Sequence, residues 1–384
     1  MDEVTAPLPI EHRAKSVGSA RWPFPLLLLS VYFLAKPFYF FPSGGPQIGD
    51  VVVPALLVWL FALGTDAPGA RSLRVLFWCV LFILYALIVN GTWGLLLANS
   101  SMFKMPIFML FNLGIFVICL LLADRYGDRF FEFVVHAVAA ALIAQALLSF
   151  VVDNSLKREV IFFNNPNQLG YWSLLSASIF FVCATRIRVH PYLSAAVAIT
   201  SLYLVALSLS KAAILASLGL FALVYGVRLK KLLLVVPVAL AAVFALQGSE
   251  LYENVAWRIG NIGAQSDDSL GVRGYQMLWE HPQYLLLGAG QGAFERFRGL
   301  GSTGTEFHST LGSLLFSYGV VGFGLFSLFM WQIYREAGMY RFAFLAPAFV
   351  YGFTHQGLRF SVFWALFALV ASVRPETRNE LDAR

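Results

Sequence analysis

The sequence predicts an all-α, multi-pass membrane protein with about 12 membrane-spanning helices and one large loop on the outer face. Three observations carry this. Hydrophobic residues make up 59% of the 384 positions and charged residues only 12%, whereas a soluble domain carries about 25% charge; the mean hydropathy is +0.73. The apolar residues fall in runs, most of them near the roughly 20 residues needed to cross the hydrocarbon core. The basic residues cluster between those runs on alternate loops, as the positive-inside rule requires.

Taken in order, the runs lie near 23–41, 51–65, 73–90, 104–123, 130–152, 168–184, 191–208, 211–227, 232–248, 309–330, 342–356 and 360–373. Arg13, Lys15 and Arg21 precede the first, which reads as a retained signal anchor. The other basic loops carry Arg71 and Arg74, Arg125 and Arg129, Arg186 and Arg188, Arg228 with Lys230 and Lys231, Arg335 and Arg341, and the tail arginines 374, 378 and 384. Each falls after an even number of crossings. This predicts a single integral membrane domain over 1–384 with both termini in the cytoplasm and loop 249–308 outside. The same distribution explains the net charge of +6 without nucleic acid as a partner. Cys79, Cys119 and Cys183 all lie in apolar runs and read as small buried hydrophobes.

The outer loop opens on ELYENVAWRIG, which predicts a short amphipathic helix. QSDDS supplies helix caps, and LGVRGYQMLWEHP reads as a second helix stopped by Pro282. GAGQG follows. It lacks the strand–turn–helix setting of a nucleotide loop and predicts a tight turn that lets backbone approach the membrane or a ligand. Metal and cofactor chemistry find no support: Asp267 and Asp268 look like capping residues, Asp50 stands alone, and no Cys/His ligand cluster exists.

Ten basic residues escape the positive-inside rule: Lys36, Lys104, Lys157, Arg158, Lys211, Arg258, Arg273, Arg296, Arg298 and Arg359. Lys36 and Lys104 either snorkel from helix ends or, like the others, are charges kept near hydrocarbon for a function. Lys211, Arg273 and either Arg258 or Arg359 make a cationic set on the outer face. Guanidinium forks suit the oxygens of a lipid-linked phosphate or diphosphate, or else anchor the chain to anionic headgroups. His308, where the loop re-enters the membrane, is either an interfacial cap or an acid–base group. His281 and His355 stand behind it.

Three stretches carry a family resemblance: FFNNPNQLGYWSLL (162–175), GVRGYQMLWEHPQYLLLGAGQGAF (271–294) and FHSTLGSLLFSYGVVGFGLF (307–326). In this order, within a motif-bearing core of about 160–330, the chain resembles the O-antigen ligase and O-antigen/exopolysaccharide polymerase superfamily. The resemblance implies an all-helical glycosyltransferase with a large periplasmic loop in the bacterial inner membrane, inverting and independent of metal. Its donor would be a glycan on undecaprenyl diphosphate. Its acceptor would be lipid A core for a ligase, or a second lipid-linked repeat unit for a polymerase. Arg273 matches the family's loop arginine and His308 its loop histidine. Lys211 stands where the family has arginine, and lysine holds phosphate as a point charge rather than by a fork. Asn165, Asn167 and Glu306 complete the candidate set. A transporter or flippase of lipid-linked sugars is the competing class; it favours broken helices with polar groups at mid-membrane.

Overall fold

The computed structural model describes residues 23–42, 45–62, 68–152, 158–226, 249–261, 273–297 and 307–373, and among them every regular element is helical. The helices are α1 (Phe24–Ala35), α2 (Val52–Ala62), α3 (Ala70–Leu96), α4 (Lys104–Tyr126), α5 (Asp128–Leu148), α6 (Pro166–Cys183), α7 (Pro191–Ser208), α8 (Lys211–Gly226), α9 (Glu250–Gly260), α10 (Thr310–Ala337), α11 (Ala346–Gly352) and α12 (Ser361–Ser372). Short 3₁₀ turns precede α2 at Ile48–Val51 and α4 at Ser100–Phe103.

Five segments are long and apolar enough to cross a bilayer: Ala70–Leu96, Ser100–Tyr126, Asp128–Leu148, Pro191–Ser208 and Thr310–Ala337. Each coincides with a predicted span. On α3, Phe77, Leu84, Ile88 and Leu95 are all exposed. Their spacing of seven, four and seven puts them on one helix face. An exposed apolar stripe of this length is stable in hydrocarbon and costly in water. The architecture is that of a polytopic membrane protein.

Other predicted spans are shorter than the sequence suggests. The run at 23–41 forms a helix of only 12 residues, about 18 Å at 1.5 Å per residue. Pro37, whose ring has no N–H to donate, follows directly after Lys36 and stops it. The run at 342–356 breaks into a helical turn at Met339–Phe342, a 3₁₀ turn at Ala343–Leu345 and the seven-residue α11, which starts with Pro347 in its first turn. The run at 360–373, by contrast, forms α12 over nearly its whole length. The predicted span 232–248 lies outside the described residues.

Two helices are covered on all sides. In α6 every residue from Leu169 to Cys183 is buried, and in α12 every residue from Ser361 to Val370. They pack on each other, and α12 also packs along α4. A helix that is apolar all round belongs inside a bundle, and these two occupy the centre of this one. Near the predicted cytoplasmic side, Glu336 at the end of α10 accepts from Arg71 Nε (2.6 Å) and Arg74 (3.0 Å) on α3.

The glycine turn packs its backbone against α10, and its last residues, Gln291 and Gly292, line a cavity. That helix is interrupted at Gly319, with φ 65° and ψ −173°. An interruption leaves peptide groups without helical partners, each costly to bury. The loop supplies those partners. Ala289 and Gly290 donate to the carbonyls of Phe316 (2.8 Å) and Ser317 (2.9 Å), and Val320 donates to the carbonyl of Leu285 (2.7 Å). Arg296 lies over the rings of Trp93 (5.1 Å) and Phe297 (4.6 Å) and donates to the Ala289 carbonyl, which pins the same loop to α3.

Candidate active site

The segments around this docked loop enclose a cavity of about 1170 Å³. Its wall has three parts. One is the end of α1 and the turn before α2, with Lys36, Tyr39, Gln47 and Asp50. The second is the start of α6, with Asn165, Asn167, Gln168 and Tyr171. The third holds Arg273, His308, His355 and Arg359, and Lys104 and Glu295 also face the space.

Local sequence explains each placement. Asn165 caps α6 by accepting from Asn167 N (2.7 Å), and Pro166 occupies the first helical position, where no N–H is needed. Ser309 caps α10 by accepting from Gly312 N (3.1 Å). The cap sets the chain direction just before the helix, and His308 sits there, exposed to the cavity, its N–H donating to the Arg273 carbonyl (3.3 Å). Arg273 donates through a terminal nitrogen to the Thr354 carbonyl (2.9 Å). Its Nε is buried and has no partner among the described residues. Thr310 N and Oγ1 both donate to the His355 carbonyl (3.1 Å each), which stitches the start of α10 to the α11–α12 connection.

Of the histidines on the cavity wall, His355 has an altered acid–base behaviour. Its ring stacks on Tyr351 at 4.5 Å, which in turn stacks on Tyr171 at 4.1 Å. Burial against these rings, with the charges of Arg273, His308 and Arg158 adding to it, pushes the imidazole down to about 3. The ring is neutral at pH 7. The unfolded chain takes up this proton near pH 6.5, so folding stability falls as pH drops from about 6.5 towards 3. His355→Gln removes that contribution. The drop in thermal midpoint between pH 7 and pH 5 is expected to be smaller in His355→Gln than in the wild type, and an equal drop would show that His355 is not the group concerned.

The structure brings together most, not all, of the predicted site. Arg273, His308, Arg359, Asn165 and Asn167 all line the cavity. Lys211 and Arg258 do not; they join α9 to the α7–α8 turn instead. Lys211 Nζ donates to the Asn261 carbonyl (3.2 Å) and Arg258 Nε to the Leu209 carbonyl (3.4 Å). Arg158 connects that turn to the cavity, donating to the Ser208 carbonyl (3.1 Å) and to Asn167 Oδ1 (2.8 Å). Glu306 lies outside the described residues. His281 is buried against Phe297, with ring centroids 4.9 Å apart, and is absent from the cavity wall.

The two cations open to a snorkelling reading take other places. Lys36 is buried and pairs with Asp50 at 2.5 Å, so Asp50 does not stand alone. Lys104 opens α4 and faces the cavity. The signal that marks both is their position: neither charge obeys the positive-inside rule. Among the described residues, no group of three or more His, Cys, Asp or Glu side chains is placed to hold a metal ion.

Fold and site together define a polytopic membrane protein, helical throughout its described residues, with a cavity where arginine, lysine and imidazole groups meet beside apolar helices. Compared with models of known protein families and with curated proteins, the chain matches none.

Proposed function

We propose that this protein is an inverting membrane glycosyltransferase that moves a glycan from undecaprenyl diphosphate to an acceptor hydroxyl at the periplasmic face. The reading extends to about 12 spans with both termini in the cytoplasm, from the loop charges. The observation that carries it is the convergence of Arg273, Arg359 and Lys104 with two imidazoles in one cavity. The buried Arg273 Nε, which has no protein partner among the described residues, suits an anionic oxygen.

The chemistry balances without a cofactor. The acceptor oxygen attacks the anomeric carbon from the face opposite the diphosphate, and the carbon–oxygen bond to the diphosphate breaks. The departing diphosphate carries the electron pair, and Arg273 and Arg359 stabilise the charge that grows on it. His308 takes the proton from the acceptor hydroxyl. Lys211 and Arg258, off the cavity wall, position the α7–α8 turn through which Arg158 reaches Asn167.

Lipid A core is the acceptor we favour, as in a ligase; a second lipid-linked repeat unit would make the protein a polymerase. A transporter gains some support from the interrupted α10, since broken helices bind transported substrates through freed backbone groups. Here those groups are engaged by the loop at 285–290, which favours the enzyme.

The test is reconstitution. Purified protein in liposomes receives an undecaprenyl diphosphate oligosaccharide together with either lipid A core or excess donor. Transfer of glycan to one of them is expected, with Arg273→Ala losing it and Arg273→Lys recovering part, because lysine restores charge but not the fork. Movement of intact donor across the bilayer with no new glycosidic bond would replace the enzyme by the transporter.

A further inference from the structure

We propose that the Lys36–Asp50 pair forms a sugar-binding subsite that reads a vicinal diol on a pyranose ring; this deepens the transferase reading and rests on it. Space is the first observation. The cavity holds about 1170 Å³, whereas pockets that bury a whole drug-sized molecule measure roughly 300–1,000 Å³. A diphosphate held at Arg273 leaves room for sugar rings beside it.

The second observation is the pair's chemistry. Its side chains are only 7% and 11% exposed, yet both line the cavity. Asp50 Oδ1 accepts from Lys36 Nζ at 2.5 Å and Oδ2 from Gln47 N at 2.8 Å. An ionised carboxylate can accept about four hydrogen bonds and an ammonium can donate three. Both groups therefore keep capacity for further bonds. A diol on adjacent carbons offers a donor and an acceptor at close spacing, which an adjoining carboxylate and ammonium complement.

Asp50 also closes a capping box with Gln47 at the turn before α2, which accounts for one carboxylate oxygen but not for the buried ammonium of Lys36 on the other. The connection from α1 to α2 is already held by Gln47, whose Oε1 accepts from Phe40 N (2.9 Å) and Phe41 N (3.0 Å) and whose Nε2 donates to the Phe41 carbonyl (3.0 Å). The connection is also tied to the turn before α6 by Tyr39 N to the Phe162 carbonyl (3.0 Å) and Asn164 Nδ2 to the Phe41 carbonyl (2.9 Å). A buried ion pair is no more stabilising than a well-packed apolar contact, because both charges lose their hydration. This pair costs desolvation in a segment that other bonds fix. Tyr39, whose ring packs against Phe163 at 5.1 Å, also lines the cavity beside the pair.

The diol belongs either to the acceptor glycan or to the glycan on the donor, and kinetics separates the two. The variant Lys36→Gln with Asp50→Asn neutralises both charges together and leaves two amides able to bond each other. Donor and acceptor are varied separately in the liposome assay, and binding of the free oligosaccharide and of glycan-free undecaprenyl diphosphate is measured directly. The expected result is a KM raised about tenfold or more for one glycan substrate, weaker oligosaccharide binding by a similar factor, and unchanged binding of the bare lipid diphosphate. Which KM rises assigns the diol. Asp50→Glu keeps the ion pair but displaces the carboxylate, and should raise the same KM while binding of the bare lipid diphosphate stays unchanged. Unchanged oligosaccharide binding and unchanged KM values in both variants would overturn the subsite, as would weaker binding of the bare lipid diphosphate. Absence of transfer by the wild type would sink the transferase reading instead, while the oligosaccharide-binding measurement still judges the subsite.

Discussion

His308→Ala is expected to lower the turnover of glycan transfer by about 10²–10⁴-fold, with donor affinity close to that of the wild type. The split follows from geometry. Arg273 and Arg359 are separate side chains on the same cavity wall, so the diphosphate keeps its partners when the imidazole goes. The fold keeps its own as well. The link from residue 308 to Arg273 is a backbone bond, and the cap of α10 belongs to Ser309. His308→Gln separates two roles. An amide retains part of the rate if the imidazole only orients the hydroxyl, and almost none if it must carry the proton. A His308→Ala enzyme as fast as the wild type would show that His308 is not the base, and His281, which is absent from the cavity wall, could not replace it.

The second large effect falls on the fold. Gly288→Ala and Gly319→Ala are each expected to remove most folded protein, a cost of about 4 kcal/mol or more. Both glycines have positive φ, 95° and 65°, where a side chain is strained. A Cβ on Gly288 would come within 2.6 Å of Tyr318 Cα, and one on Gly319 within 2.6 Å of the Leu286 carbonyl carbon. The obstruction is backbone on both sides, so no rotamer change relieves it. Gly324, on the same helix, has nothing within 4 Å of an added Cβ. Gly324→Ala should therefore be neutral or slightly stabilising. Size-exclusion profiles of the three detergent extracts distinguish these outcomes. A monodisperse Gly288→Ala protein with a wild-type thermal midpoint would show that loop and helix do not meet as described.

Fold class and the long spans were legible because they depend on local quantities. Twenty apolar residues in a row satisfy the bilayer whatever lies next to them, and five such segments appear where the runs predict them. Helix ends were less legible. Proline shortens α1 and breaks the 342–356 run. The hydropathy of a buried helix and of a spanning one is the same.

Within the site, sequence alone identified the anomalous cations. A charge that breaks the positive-inside rule is costly near hydrocarbon, so Lys36, Lys104, Arg273 and Arg359 stood out before any contact was known. Sequence could not sort them. Lys211 and Arg258 carry the same anomaly, yet they sit behind the α7–α8 turn while Arg359, in the α11–α12 connection, lines the cavity with Arg273. Lys36 and Asp50 are 14 residues apart and show no motif; only the turn before α2 brings them to 2.5 Å. The partner of the glycine loop was equally hidden. Gly288 belongs to a turn that the sequence marks, but Gly319 is ordinary in sequence, and only their mutual approach explains why neither tolerates a Cβ. Bilayer insertion depends on composition summed along one segment, which a sequence displays directly. Convergence of side chains depends on where the bundle turns each helix, and that is decided by packing between segments far apart in the chain.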